Sequence, residues 1–480
     1  MIQPKKEILN VVIEMNLMLK SFRKNIKGNI VFIPGETYDI IEYMTTNNLL
    51  PDFNIYNLNI DLIPIDYDLL SLEREDSLKD IFIDKNLSSI GDLANALVKM
   101  ETCFGKISHK YIKGDLAQIF DEIVQEKEKE NDLHTNDEIL GMIALDRSVD
   151  FVSLVMSNYT YEGLIDHAFR INFGRIKIKE NILKENMIKD AKLSERLVTY
   201  GLTSNINPFY CSLRCMHYLD VKNYIETIRQ YYSDVVKKNK DKVNMSIEQL
   251  KVCTEEFNYY VKNIKDPMVQ NLNILNFVTK PLTDSGYLQY IEKEQLMVSG
   301  DFPENLHNYY DMHLCEQRNL MDLIKLMIVE SLTQNGIRDY QKLKREILNV
   351  YGFQKIFLFR DLENIGWLKE KELIKNIKKK IIDITYNEIS EKLQLIDLDY
   401  NPKVIKNCSY VAGGYCPLGL RIIERAAEGK WGKIADVLRR MPGACSFPQD
   451  ETVISNPVKN NNIIFVVFVG GVTYTEIAGI

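Results

Sequence analysis

Asp146 and Arg147 stand side by side after the apolar run Met142-Ile143-Ala144-Leu145, with Asp150 close behind them. Charged groups at the C-terminal end of a buried strand are where α/β enzymes keep their chemistry. A carboxylate beside a cation could serve as a general acid or base. The same residues could instead form a partly buried ion pair that pins the strand end to the loop leading into Tyr161-Glu162-Gly163, where a helix begins. The catalytic reading needs a nucleophile, a metal or a cofactor loop to work with.

None is legible. A phosphate-binding loop of the form GxxxxGK[ST] does not occur. Gly470-Gly471 follows a strand-like run, but the third glycine of a dinucleotide fingerprint is missing, and a tight strand-to-helix turn accounts for both glycines. Cys211, Cys215 and His217 could offer thiolates and an imidazole to zinc, yet the cysteine spacing exceeds that of a zinc knuckle and no second pair lies nearby. The six histidines show no HExxH spacing, and no GxSxG elbow occurs. We therefore expect no metal, no cofactor, no small-molecule substrate and no enzyme activity, and read Asp146-Arg147 with Asp150 as a scaffold ion pair. The competing reading is a nucleotide-dependent α/β enzyme acting through Asp146 and the Gly470-Gly471 turn.

The elements that must hold these residues belong to a long chain. At 480 residues it exceeds one ordinary core, which predicts two to four domains. Hydrophobic residues at 45% and charged residues at 26% are ordinary for globular protein, and a net charge of −7 argues against nucleic-acid binding through a broad basic surface. Eight scattered cysteines without a CxxC pair suit free thiols in a reducing compartment. The N-terminus lacks a secretory apolar core, and the run Ile463 to Val469 is too short to span a bilayer. This predicts a cytoplasmic protein that reaches membranes only through partners.

Ile8 to Leu19 has helical spacing, Asn29 to Ile33 reads as a strand and residues 37–46 as a helix, which predicts a small parallel α/β unit. Residues 60–76 give a strand and an acidic turn, helical patterns cover roughly 88–127, and 125–138 read as a solvated loop and 142–145 as a strand. From about 218 to 400 helical periodicity dominates. Ser246 and Gln249 form a capping-box pattern, and Ile247, Leu250, Thr254, Phe257, Val261 and Ile264 then recur three and four apart on one helix face. With a similar stripe from Val221 to Val235, this predicts a helical hairpin over about 221–264. Lys369, Lys371, Lys375, Lys378, Lys379 and Lys380 read as a basic helical face. At the end, a β-branched strand, Gly470-Gly471 and a helix capped by Thr473 and Glu476 cannot close a core alone, so they must dock on a sheet supplied earlier in the chain.

Four ordered stretches carry a resemblance to a known family. LDRSVDFV and YTYEGLID within 145–166, LNIDLIPIDYDLLSLERED at 58–76, SYVAGGYCPLGLRIIERAAEGKWGKIADVLRRMPG at 409–443 and IIFVVFVGGVTYTEIAGI at 463–480 resemble the motifs of the SM (Sec-one/Munc-eighteen-like) proteins. The likeness spans essentially the whole chain and is greatest to the vacuolar protein sorting-associated protein 33 branch.

The resemblance implies a three-domain arch of α/β plus mostly α class. Two Rossmann-like α/β domains, the second discontinuous, frame a large helical domain three: 1–60 for domain one, 61–217 and 401–480 for domain two, and 218–400 for domain three. It further implies binding of SNARE helices and templating of their assembly for membrane fusion. It implies membership of the HOPS or CORVET tethering complexes at late endosomes, lysosomes or vacuoles, with a class C subunit of the vacuolar protein sorting 16 type docked on domain three. The hairpin is then the expected template, with Leu250, Lys251, Thr254, Glu255, Phe257 and Asn258 as contacts. A tethering scaffold that no longer binds SNAREs is the remaining alternative. Against the family pattern the chain begins partway into domain one and stops before the last helix and strand. Leu154 stands where proline is usual, and His167 follows Asp166 where an acid is usual.

Overall fold

The computed structural model describes residues 6–480 apart from 23–26, 34, 59, 108, 131–138, 185–195, 205, 241–246, 372–383 and 449–462. At the N-terminus the helices Lys6–Phe22 and Tyr38–Thr46 flank two parallel strands, β1 (Gly28–Phe32) and β2 (Phe53–Asn57). Leu9, Ile30, Phe32, Ile40, Met44 and Phe53 form its small core. This is the parallel α/β unit expected from the alternation of runs. The acidic segment that follows folds as a hairpin of β3 (Ile63–Asp66) and β4 (Leu69–Ser71).

The main sheet is ordered β10-β6-β5-β9. Its strands are β5 (Lys110–Lys113), β6 (Ile139–Asp146), β9 (Cys445–Ser446) and β10 (Ile463–Val469). β10 lies parallel to β6, with Phe468 opposite Leu145 and Val469 opposite Asp146. The last strand thus docks on a sheet laid down more than 300 residues earlier, as its isolation at the chain end requires. Apolar residues on both faces, among them Met142, Ile143, Ala144 and Val469, mark the parallel strands β10, β6 and β5 as covered on each side, with β9 antiparallel at the β5 edge.

Two readings need correction here. The helical patterns over 88–127 are the helices Ser88–Phe104 and Asp115–Glu128, but β5 stands between them, a strand the sequence reading did not include. Gly105 and Gly114, at φ 99° and 106°, make the two turns, which no residue with a Cβ adopts readily. The second helix also runs past the point where the loop was expected to start, because Val124 and Glu128 are buried and Glu128 accepts from Lys110 Nζ at 2.7 Å. Residues 131–138 of that loop lie outside the described residues. A further antiparallel pair, β7 (Arg175–Lys179) and β8 (Leu197–Gly201), covers a second core around Tyr161, Ile165, Tyr210 and Ile274.

From Tyr218 to Ile365 the described chain is almost wholly helical. Helices Ser285–Val298, Leu306–Cys315 and Leu320–Thr333 share one core with Ile143 and Leu145 of β6 and with Trp431 and Leu438. Glu294 ties the two parts together, accepting from the Ser157 backbone N–H and from its hydroxyl at 3.1 Å. Lys369 and Lys371 do not open a basic helix: they flank Glu370, which bridges in parallel to Ile337. The other four lysines of that run lie outside the described residues. No described helix is long and apolar enough to cross a membrane.

Candidate functional site: a buried ion pair and a helical hairpin

Arg147 opens a single 3-10 turn after β6 and is almost completely buried. Its Nη1 donates to Glu476 Oε2 at 2.7 Å and its Nη2 to Glu476 Oε1 at 2.9 Å, a two-point pair with a residue of the final helix, Tyr474–Gly479. Nη2 also reaches the Asp150 carbonyl, and the Asp150 carboxylate lies 4.0 Å away. Burial disfavours the guanidinium charge, but Glu476 and Asp150 more than offset this and hold Arg147 above the ordinary arginine range.

Asp146 is not the partner of Arg147, which corrects the expected pairing. Consecutive residues at a strand end leave on different sides. Asp146 turns toward the start of the helix Asp115–Glu128, where its Oδ2 accepts from the backbone N–H of Leu116 at 2.8 Å, while its Oδ1 accepts from Ser148 N–H at 2.8 Å in its own 3-10 turn. It thus satisfies one orphan N–H of that helix and one of its own turn. Burial pushes its pKa up, and the two N–H bonds oppose the shift. A Cβ on Gly114 would lie 2.1 Å from Asp146 Cβ, so the close approach demands glycine. Asp150 accepts from Ser153 N–H at 3.0 Å and from Gly419 N–H at 3.2 Å.

The other motif residues complete the same frame. Gly470 and Gly471, at φ 95° and 114°, carry the chain from β10 toward the last helix, with a Cβ on Gly470 placed 3.2 Å from that of Arg147. Thr473 and Glu476 form the expected capping box: Thr473 Oγ1 accepts from Glu476 N–H at 3.2 Å, and Glu476 Oε2 accepts from Thr473 N–H at 2.9 Å. Glu476 therefore caps its own helix and neutralises Arg147. Tyr161 donates to Asn271 Oδ1 at 3.0 Å, which joins the helix Tyr161–Phe169 to the helix Lys265–Thr279. Glu162 accepts from Tyr210 Oη at 2.6 Å, and burial lifts its pKa to about 6. Gly163 N–H donates to Thr160 Oγ1 at 3.3 Å in the N-cap.

The described partners of Asp146, Arg147 and Asp150 are protein groups. A cleft of 760 Å³ lies nearby, lined by Leu164, His167, Phe277, Lys280 and Tyr287, but not by Asp146, Arg147, Asp150, Gly470 or Gly471. Among the described residues no cluster of three His, Cys, Asp or Glu side chains could hold a metal. Cys211 is exposed, whereas His217 is buried and accepts from Leu219 N–H through Nδ1.

The hairpin consists of helices Tyr218–Lys240 and Ile247–Tyr259, the second continuing through a π turn at Tyr260–Ile264 into Lys265–Thr279. Tyr232 and Tyr260 stack at 4.7 Å between ring centroids and hold the two arms together. On the second arm Leu250, Thr254 and Phe257 are half-buried, while Lys251, Glu255 and Asn258 are exposed. Ser246 and the Ile247 side chain lie outside the described residues. The stripe fails at its end: Val261 is 46% exposed, while Ile264 is buried. A π turn inserts one residue into the helical phase and swings Val261 off the packed face. Helical spacing puts exposed Val252 and Tyr259 on the same side of the arm as Lys251, Glu255 and Asn258, and Val261 is exposed separately within the π turn. The sequence signal for this surface was the presence of Val252 and Tyr259 at positions the stripe leaves to solvent.

The Sec1 family model matches residues 1–480. The chain belongs to the Sec1 family. The resemblance seen in the motifs thus holds for the full length. Among curated relatives, the vacuolar protein-sorting-associated protein 33 homolog of Arabidopsis thaliana is 25% identical over 477 residues, covering 94% of this chain and 76% of that protein. Vacuolar protein sorting-associated protein 33B of Homo sapiens is 25% identical, covering 95% and 77%, and protein 33A of Rattus norvegicus is 24% identical, covering 100% and 81%. Among solved structures, the Unc18–syntaxin 1 complex of Monosiga brevicollis matches with a TM-score of 0.58 at 14% identity, over 99% of this chain and 81% of that one. The SM protein Vps45 in complex with the Qa SNARE Tlg2 matches with a TM-score of 0.57 at 14% identity, over 99% and 84%. These likenesses establish the fold, with α/β parts joined to a large helical part.

Proposed function

We propose that this chain binds SNARE helices on the second arm of the hairpin and templates their assembly for membrane fusion, and that it has no catalytic activity. The observation that carries the proposal is the open face of Lys251, Val252, Glu255, Asn258 and Tyr259, standing on a base tied down through Tyr161 and Asn271. Apolar and charged groups alternating on an exposed helix suit a helix-to-helix contact. SNARE motifs are disordered alone, so a rigid arm that orders them removes part of the entropic cost before zippering. Relatives of the vacuolar sorting branch and neighbours solved with syntaxin or a Qa SNARE support this reading.

The same reading places the chain in a HOPS or CORVET type tethering complex, peripheral to late endosomal or vacuolar membranes, with domain boundaries at 60, 217 and 400. A class C subunit of the vacuolar protein sorting 16 type would dock on the helical part. Phe353 and Phe357, 71% and 61% exposed beside Lys355 and Arg360, offer it an aromatic and basic surface. Co-purification tests both contacts. The protein should retain Qa-SNARE motifs and a class C subunit, and Phe353→Asp with Phe357→Asp should release only the subunit. Retention of neither partner by a folded protein rules the reading out.

A further inference from the structure

The segment from Asn407 to Gly419 joins the α/β and helical parts. Tyr159 N–H donates to the Val411 carbonyl at 3.3 Å and Gln295 Nε2 to the Ala412 carbonyl at 3.1 Å. Cys416 N–H donates to the Leu395 carbonyl at 2.7 Å, and Tyr410 Oη lies 2.8 Å from the Ala478 carbonyl at the end of the chain. Within this segment Cys408 Sγ and Cys416 Sγ stand 2.7 Å apart. That is inside the contact distance of two sulfur atoms, and the intervening turn through Gly413 and Gly414, at φ 66° and 105°, brings the two residues together. The other six cysteines have no such neighbour among the described residues. Cys408 is partly exposed and Cys416 fully buried. The thiol contact with Cys416, together with nearby Arg421, draws the Cys408 pKa down, while that same contact and burial push Cys416 up.

We propose that Cys408 and Cys416 are a reversible redox pair, and that their disulfide locks the junction between the two parts of the molecule. A peroxide is the oxidant. With hydrogen peroxide, the Cys408 thiolate attacks one oxygen and the O–O bond breaks; that oxygen stays on sulfur as a sulfenic acid, and the other leaves as hydroxide, which takes up the proton the thiol gave up and becomes water. Cys416 then attacks that sulfur, forming the S–S bond and expelling a second water, so two thiols and one peroxide yield one disulfide and two waters. A dithiol reductant reverses the link by exchange. The asymmetry of the site fits the sequence of steps: the partly exposed thiolate meets the oxidant and the buried thiol resolves it. The bond closes a short loop whose carbonyls and N–H groups are already committed to both parts, so it restrains the junction and not a free end. The inference stands apart from SNARE binding, since it concerns the chain alone.

The test treats the purified full chain with hydrogen peroxide, blocks remaining thiols, and maps peptides without reduction. The expected result is loss of two of the eight thiols in a Cys408–Cys416 linked peptide, restored by dithiothreitol. Amide exchange over residues 408–418 should slow at least about tenfold, and Tm should rise by about 3 °C. Cys408→Ser, a change at a partly exposed site, should abolish both effects while leaving the reduced Tm unchanged. Retention of all eight thiols, Cys408 oxidised without linkage to Cys416, or equal thiol loss in Cys408→Ser would each overturn the proposal. If Cys408→Ser fails to fold, the peptide map of the wild-type chain decides alone.

Discussion

Arg147 and Glu476, 329 residues apart, meet in a buried pair with two hydrogen bonds of 2.7 and 2.9 Å. Neither side chain is more than 2% exposed. The pair fastens the final helix, and through it the final strand, to the end of β6.

Removing one partner of such a pair strands a buried charge, which costs about 3–5 kcal/mol. Arg147→Ala should lower unfolding stability by that amount in urea titration, and Glu476→Gln should lower it similarly, since the guanidinium stays. Arg147→Met combined with Glu476→Leu should recover most of the loss, because no charge is left unpaired. Wild-type stability in Arg147→Ala would show that the pair is not the fastening.

Stability should also depend on pH through Glu294. Burial raises its pKa in the fold from 4.5 to about 7, against hydrogen bonds from Ser157 that favour the charge. Between these values the folded chain keeps a proton that the unfolded chain has released. The contribution is therefore fully present below about pH 4.5 and is lost as pH rises through about 7. Glu330, buried beside Tyr310 and raised to about 7, acts in the same direction. Relative to Glu294→Gln, wild-type protein should gain about 1–3 kcal/mol between pH 7.5 and pH 5.5. Parallel stability curves for the two proteins would contradict this.

The stack of Tyr232 on Tyr260 joins the hairpin arms. Tyr232→Ala should cost about 1–2 kcal/mol locally and speed amide exchange over residues 218–264 roughly tenfold, with the strands of the main sheet unchanged. Uniform exchange acceleration would mean that the arms are not a separate unit.

Local devices were legible in the sequence. The Thr473–Glu476 capping box, the Gly470-Gly471 turn and the N-terminal strand–helix alternation each depend on residues within a few positions of one another. The helical hairpin was legible for the same reason. What escaped depends on distance or phase. The partner of Arg147 lies at the other end of the chain, and its neighbour Asp146 was the nearer choice by sequence but not in space. β5 was missed because four residues between two helices carry too little period-2 signal. The π turn at Tyr260–Ile264 breaks the 3.6 phase without any marker residue, so Val261 reads as packed yet faces solvent.

The most direct test of the account is a binding titration with a Qa-SNARE motif peptide, comparing wild type with Lys251→Glu/Glu255→Lys. Both changes lie on the exposed face of the second arm and should leave Tm within about 1 °C. Wild type should bind saturably, and the variant at least tenfold more weakly, about 1.4 kcal/mol. Equal affinity in both folded proteins, or no binding by wild type, would contradict the assignment of the hairpin as the SNARE template.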